Sequence, residues 1–393
     1  MTQAVTGGIA TGRALRPTVK ALPEHARGHN RSLVLQTLYS RLGLESASAP
    51  SRADVARETG LTRVTVSDLV AELIDEGLVV ETGILGDVRP GKPAIGLAMN
   101  PLAFHIIGLD LSDPAEFRGA LIALDGEIVG RARHPLRGAD GSIATGEVAM
   151  AILEALVLDL IGSATRPILG IGVGSPGVID ANGVVLSAPT FLWHGEPLRA
   201  RLHDRFGLPV VVANDANAAV LAEHGAGGGT DLLLVTIGLG VGAGLVVGGM
   251  AITGNRSTAG EIGHVSVGTD PGPICDCGRQ GCLAAWLSVP RLRLALAAAA
   301  DSPARDAVFA TAGERLGIVL APIVGALDLA EVVLSGPADL IDGPLITATA
   351  ATLATRTLGE FNGHVVVRRS DLGRDIVIRG AAAMVISARL GVS

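Results

Sequence analysis

The sequence predicts an α/β protein in two unequal parts, a small helical module followed by a larger region of alternating strands and helices. Three observations carry that class. Apolar residues recur at three- and four-residue spacing between 30 and 74, the signature of helices with one buried face. From residue 105 the pattern becomes short β-branched runs bounded by glycine turns and alternating with longer Ala/Leu-rich stretches. The chain has 393 residues, too many for one core, and is 48% hydrophobic against 18% charged, so it buries enough surface to fold.

Composition excludes several classes. Aromatics are 2% of residues, so the core must be built from Ala, Val, Leu and Ile. No apolar run approaches the roughly 20 residues of a membrane span without a glycine or polar break. The first twenty residues hold no hydrophobic signal segment, and only three cysteines are present. These features predict a cytoplasmic protein without a disulfide framework. Net charge is −7, unevenly spread. Residues 1–100 hold eleven basic and ten acidic side chains, a net of +1, and the remainder 20 against 28, a net of −8. The asymmetry points the N-terminal part toward an anionic partner.

Residues 1–27 mix Gly, Ala, Thr and Arg without period and read as a mobile arm. A helix is expected from Asn30, with Leu33, Val34, Leu38 and Leu42 on one face, then a Ser/Ala/Pro loop over 45–50. Ser51 caps a short helix beginning at Arg52, and Asp54 in its first turn suits the helix dipole. Gly60 ends it; a second helix follows, burying Val66, Leu69, Val70, Leu73 and Ile74. A short helix, a glycine-containing turn and a second amphipathic helix make a helix-turn-helix. Arg63, Thr65, Ser67 and Asp68 lie on the outer face of that second helix, near its N-terminus, where such helices meet bases and phosphates in the major groove. Strands over 78–81 and 94–98 flank a turn-rich tip carrying Arg89 and Lys92, the form of a wing. Residues 28–99 thus predict a winged helix-turn-helix DNA-binding domain, with Arg52, Arg63, Thr65, Ser67, Arg89 and Lys92 as candidate contacts.

The larger region opens with three meander strands within 106–134, a helix over 143–161, and a buried strand ending in a Gly-Pro turn at Ser175-Pro176-Gly177. Another strand runs into a helix at Asn214-Asp215, and 231–250 reads as two apolar strands joined by a glycine-rich tip. Residues 289–360 are helical around one buried strand, 331–336; a strand after 363 and a helix over 380–390 close the chain.

All three cysteines, Cys275, Cys277 and Cys282, fall within eight residues, and His264 lies eleven before the first. Three thiolates and one imidazole complete a tetrahedral zinc set with no position for water, which makes the metal structural. Prolines 271 and 273 and glycines 272, 278 and 281 supply the tight turns.

Taken together, GIGVGSPGVID, NDANAAVLAE, GLGVGAGLVVGG, GEIGHVSV, CDCGRQGC and the closing SDLGRDIVIRGAAA resemble the ROK family of repressors and sugar kinases. The winged-helix segment at 51–79 makes the match specific to its repressor branch, over residues 30–393. The resemblance implies an actin-like, two-lobed domain with ribonuclease H-like lobes over 103–393. Lobe 1 is expected at about 103–215 plus 375–393, and lobe 2 at about 216–374. It further implies Zn²⁺, a homodimer or homotetramer on a palindromic operator, and a sugar or sugar-phosphate effector between the lobes. By the same resemblance Gly174, Gly177, Asn214, Asp215, Glu261 and His264 meet the sugar, His264 doubling as a metal ligand.

Three departures separate the chain from the family's kinases. The Asp-x-Gly-Gly-Thr phosphate turn reads Asp110-Leu111-Ser112-Asp113-Pro114, without glycines and with an added acid and a proline. The Gly-Thr-Gly loop reads Gly238-Leu239-Gly240, and a sugar-binding glutamate is replaced by Ala284. The expectation is a sugar-responsive repressor without kinase activity. The alternatives are a sugar kinase fused to a DNA-binding domain and a ligand-independent regulator with a vestigial cleft.

Overall fold

The computed structural model describes residues 23–42, 49–84, 94–138, 141–268, 271–358 and 365–392. The wing tip with Arg89 and Lys92 and most of the N-terminal arm lie outside them.

Helix α1, Pro23–Tyr39, begins seven residues before Asn30 and corrects the arm's expected limit at 27. Proline suits a first helical position because its φ is already helical and its missing N–H is not needed there. Helix α2, Arg52–Thr59, is closed at its N-terminus by a reciprocal capping box between Ser51 and Asp54, and at its C-terminus by Gly60 in the left-handed conformation. Helix α3, Arg63–Asp75, is capped by Thr62, whose hydroxyl accepts from the Thr65 N–H at 3.1 Å. Strands β1, Val79–Ile84, and β2, Ile95–Met99, pair antiparallel beside it, as expected of a wing. Val34, Leu35, Val55, Val66, Leu69 and Leu73 form this module's core.

The remainder contains two five-stranded sheets of the same topology. In the first, β3 (His105–Asp110), β4 (Glu116–Ile122) and β5 (Ile128–Pro135) form an antiparallel meander. β6 (Ile168–Ser175) and β9 (Val210–Asn214) extend it in parallel. In the second, β10 (Leu232–Ile237), β11 (Val241–Val247) and β12 (Met250–Ala251) are the meander, and β13 (Glu331–Ser335) and β14 (Val366–Arg369) the parallel extension. A small hairpin, β7 (Val178–Ile179) and β8 (Val185–Ser187), follows β6. Helices α4 (Gly146–Ser163) and α5 (Leu198–Phe206) cover the first sheet, their apolar sides joining its core.

Helix α6, Asp215–Gly225, leaves β9 directly and packs against the second sheet. On that second half lie α7 (Ala284–Leu287), α8 (Val289–Ala298), α9 (Ser302–Leu327), α10 (Ala338–Ile341) and α11 (Pro344–Arg356). By length and composition α9 is apolar enough to cross a membrane, but half of its most apolar window is buried against the rest of the fold.

The last helix, α12, Ile376–Leu390, starts four residues before the expected position. It crosses α6 so closely that a Cβ on Gly380 would sit 1.8 Å from the Ala218 carbonyl oxygen. Its C-terminal residues Ile386 and Leu390, with Val392, share one apolar core with the winged-helix module. One helix therefore touches both the seam between the two sheets and the N-terminal domain.

Candidate functional site

Strand ends and glycine turns bring the expected sugar residues to the seam between the sheets. Gly174 is buried at the end of β6, where a Cβ would lie 3.6 Å from the Asp215 Cα and 2.3 Å from Val377 Cγ1. Gly177, φ +91°, turns the chain toward the β7–β8 hairpin. Asn214 caps α6: its Oδ1 accepts from the Ala216 and Asn217 N–H groups at 2.9 and 3.2 Å. Its Nδ2 donates to the Gly177 carbonyl at 3.0 Å, so one side chain fixes both the helix start and the turn. Capping therefore occupies the acceptor of Asn214, and an amide hydrogen is what it retains for a ligand.

Asp215 follows on the same helix start. Burial first, then the carboxylates of Asp110 and Glu261, push its pKa up to about 7. The charges of Asp110 and Glu261 thus reach Asp215, but Asp110 is spent on Ser112 and Arg118, so Asp215 and Glu261 are the carboxyl groups left for a ligand's O–H donors. Glu261 is exposed and precedes a single helical turn, Ile262–His264, packed on β11. Ala284 is buried in the core beside Leu283 and Leu287, so no carboxylate reaches the cleft from that position.

The phosphate side of the cleft is closed by its own side chains. Asp110 is fully buried and accepts from the Ser112 N–H at 2.9 Å and the Ser112 hydroxyl at 2.6 Å. It also pairs with Arg118, its cross-strand neighbour on β4. Asp113 accepts from the Ala115 N–H at 2.8 Å and faces Arg374 at 3.8 Å. The Leu111, Ser112 and Ala115 amides of this turn are therefore already satisfied within the chain, and Pro114 offers none. Sequence reasoning missed Arg118; its signal was a basic residue eight positions after Asp110, invisible without the strand register.

His264, Cys275, Cys277 and Cys282 converge, their candidate ligand atoms all within 4.8 Å of one another. Cys277 and Cys282 Sγ atoms are 3.7 Å apart, and Cys275 Sγ lies 3.8 Å from His264 Nδ1. Tetrahedral zinc with bonds near 2.3 Å requires sulfur separations of about 3.8 Å, so the donors stand where a metal ion fits. With Nδ1 turned to the cluster, Nε2 of the exposed His264 is not needed for the metal. A hydrogen bond from the Arg279 backbone holds the Cys277 thiol down to about 7, while burial pushes Cys282 up to about 11.

In the N-terminal module, Arg63 and Ser67 are exposed on α3 without a hydrogen-bond or ion-pair partner among the described residues. Thr65 is partly occupied, its hydroxyl 2.9 Å from that of Thr62. Arg52 is paired with Glu81 of β1 at 2.9 Å.

The ROK family's sequence pattern matches residues 107–388, most of the chain. The chain belongs to the ROK family. Among its relatives, a xylose repressor of Caldicellulosiruptor bescii is 33% identical over 266 residues, 65% of this chain and 62% of the repressor. A glucokinase of Halalkalibacterium halodurans is 37% identical over 183 residues, 45% of this chain and 54% of the kinase. This ROK protein thus spans less than two thirds of each. In fold it is similar to a ROK family transcriptional regulator described as a homologue of the E. coli Mlc protein, with a TM-score of 0.79. That likeness covers 93% of this chain and 98% of the other at 23% identity, so the shared architecture includes an N-terminal module.

Proposed function

We propose that this ROK protein is a cytoplasmic, sugar-responsive transcriptional repressor without kinase activity. The observation that carries the reading is the tied-off phosphate turn: Asp110 is locked to Ser112 and Arg118, and Asp113 to the Ala115 amide. Asn214, Asp215, Glu261 and His264 nevertheless remain set for hydroxyl groups. A carboxylate accepts from two hydroxyls of a vicinal diol while an amide donates to a third, and turns at Gly174 and Gly177 let the ring's edge approach backbone. We assign Zn²⁺ to His264, Cys275, Cys277 and Cys282. Bound there, the ion braces the loop that presents Glu261 and the free nitrogen of His264.

The winged-helix module, expected at 28–99 and extended to the start of α1 at Pro23, takes the operator, and the ROK domain, 103–393, takes the effector between lobes at about 103–215 plus 375–393 and 216–374. As a homodimer or homotetramer on a palindromic operator, it would need half-sites about 34–36 Å apart or a multiple of that, a spacing that small changes in domain geometry disrupt. Relatives named xylose repressor favour a pentose or hexose effector over a nucleotide. Ala284 favours a second reading, a regulator that has lost its ligand.

The test has three arms on the zinc-loaded full chain: selection of bound DNA from a random pool, thermal shift with D-xylose, D-glucose and their phosphates, and a coupled ADP-release assay. Enrichment of an inverted repeat, a sugar-dependent rise in melting temperature and no turnover support the repressor. Turnover of a sugar with ATP overturns it, and enrichment without any thermal shift moves the reading to the ligand-independent regulator.

A further inference from the structure

Val64, the second residue of α3, is 70% exposed. It stands alone among the branched apolar side chains of α2 and α3: Val55, Val66, Leu69, Val70 and Leu73 are buried and Ile74 is half-buried. Fold stability gives no reason for it, because an exposed β-branched residue is a weaker helix former than alanine and here most of its surface faces solvent. Its neighbours at three- and four-residue spacing are Ser67 and Asp68, both exposed, so the three form one stripe on the solvent side of the helix. The stripe is not a phosphate-binding face, since Asp68 would be repelled there and accepts hydrogen bonds only. It suits base edges: a carboxylate accepts from cytosine N4, a hydroxyl meets any base, and the first turn of a recognition helix goes deepest into the groove.

An isopropyl group on that face makes no hydrogen bond. The one apolar feature a base pair shows in the major groove is the 5-methyl group of thymine. We infer that Val64 is a specificity-determining residue, packing against a thymine methyl in each operator half-site. The inference rests on the DNA-binding reading, and goes beyond it by naming the base and the atom recognised. Thr65, the neighbouring candidate, is in part held back by its contact with Thr62, which leaves Val64 the free apolar side chain of that turn beside the unpaired Arg63.

The experiment replaces each thymine of the selected operator by uracil in turn, removing one methyl group and no hydrogen bond, and measures binding by fluorescence anisotropy. Loss of one buried methyl corresponds to about fourfold weaker binding per half-site. Wild type should show that loss at one symmetry-related thymine. Val64→Ala should bind the thymine operator about as weakly as wild type binds the uracil one, and be indifferent to the exchange. Val64→Thr, which keeps a methyl at the same place, should still discriminate. Equal binding of thymine and uracil operators by wild type at every position overturns the inference, as does discrimination that survives in Val64→Ala. Failure of the random pool to yield any operator removes the DNA-binding reading itself, a separate outcome.

Discussion

At the scale of single residues, the cleft is governed by one displaced proton. An ordinary aspartate titrates near 3.9, whereas burial and the charges of Asp110 and Glu261 raise Asp215 to about 7. Between those values the folded chain keeps a proton that the unfolded chain releases, so stability falls as pH rises through the window and is lowest above it. Asp215→Asn removes the ionisable group while keeping its size. It should therefore raise the melting temperature at pH 8, and by less at pH 5. An equal shift at both values would mean that Asp215 is not the group responsible. The metal cluster gives a second prediction at this scale. Cys282→Ser replaces a buried thiol of the core, and should reduce bound zinc, measured by mass spectrometry of the purified chain, to well below one per protomer. Retention of one zinc with a wild-type melting curve would place the ligands elsewhere.

At the scale of elements, legibility followed the range of the interactions. Helices α2 and α3 could be read because their ends are written locally, in Ser51, Asp54, Gly60 and Thr62. Thr62→Ala should cost about 1 kcal/mol in urea denaturation, the usual effect of deleting a cap hydroxyl. No change would mean that the first turn of α3 is held by packing alone. The Cys/His cluster was legible for the same reason: three of its four candidate ligands lie within eight residues. Non-local pairings were not. The Asp110–Arg118 lock depends on the register of β3 with β4, and the repeated topology of the two sheets is masked because β12 is two residues long and the sequences of the halves differ. The β7–β8 hairpin, whose first strand is two residues long, also went unread, as did α5, although Leu198, Leu202 and Phe206 recur there at helical spacing. The residues expected to meet a sugar rest on family resemblance; Asn214-Asp215 alone reads equally well as a plain helix cap, and Asn214 does serve as one.

At the scale of the whole molecule, on the repressor reading, α12 is the element that links the cleft to an operator. Near its start Val377 abuts Gly174, and at Gly380 it rests on α6, the helix that begins with Asp215. Its far end is sealed to α1. Gly391 adopts a φ of +69°, which side chains disfavour by about 1–2 kcal/mol, and a Cβ there would meet the Ser32 hydroxyl at 2.2 Å. Gly391→Ala should consequently loosen the winged-helix module without touching the cleft. Operator affinity should fall, while any sugar-induced thermal shift of the ROK domain persists. Ser32→Gly makes room for the new methyl group, so the double variant should recover part of the lost affinity, leaving the backbone strain unrelieved. Gly391→Ala with wild-type operator binding would show that the two domains move independently of this contact. Loss of the sugar response together with operator binding would instead show that the helix supports the cleft rather than linking it to the DNA-binding module.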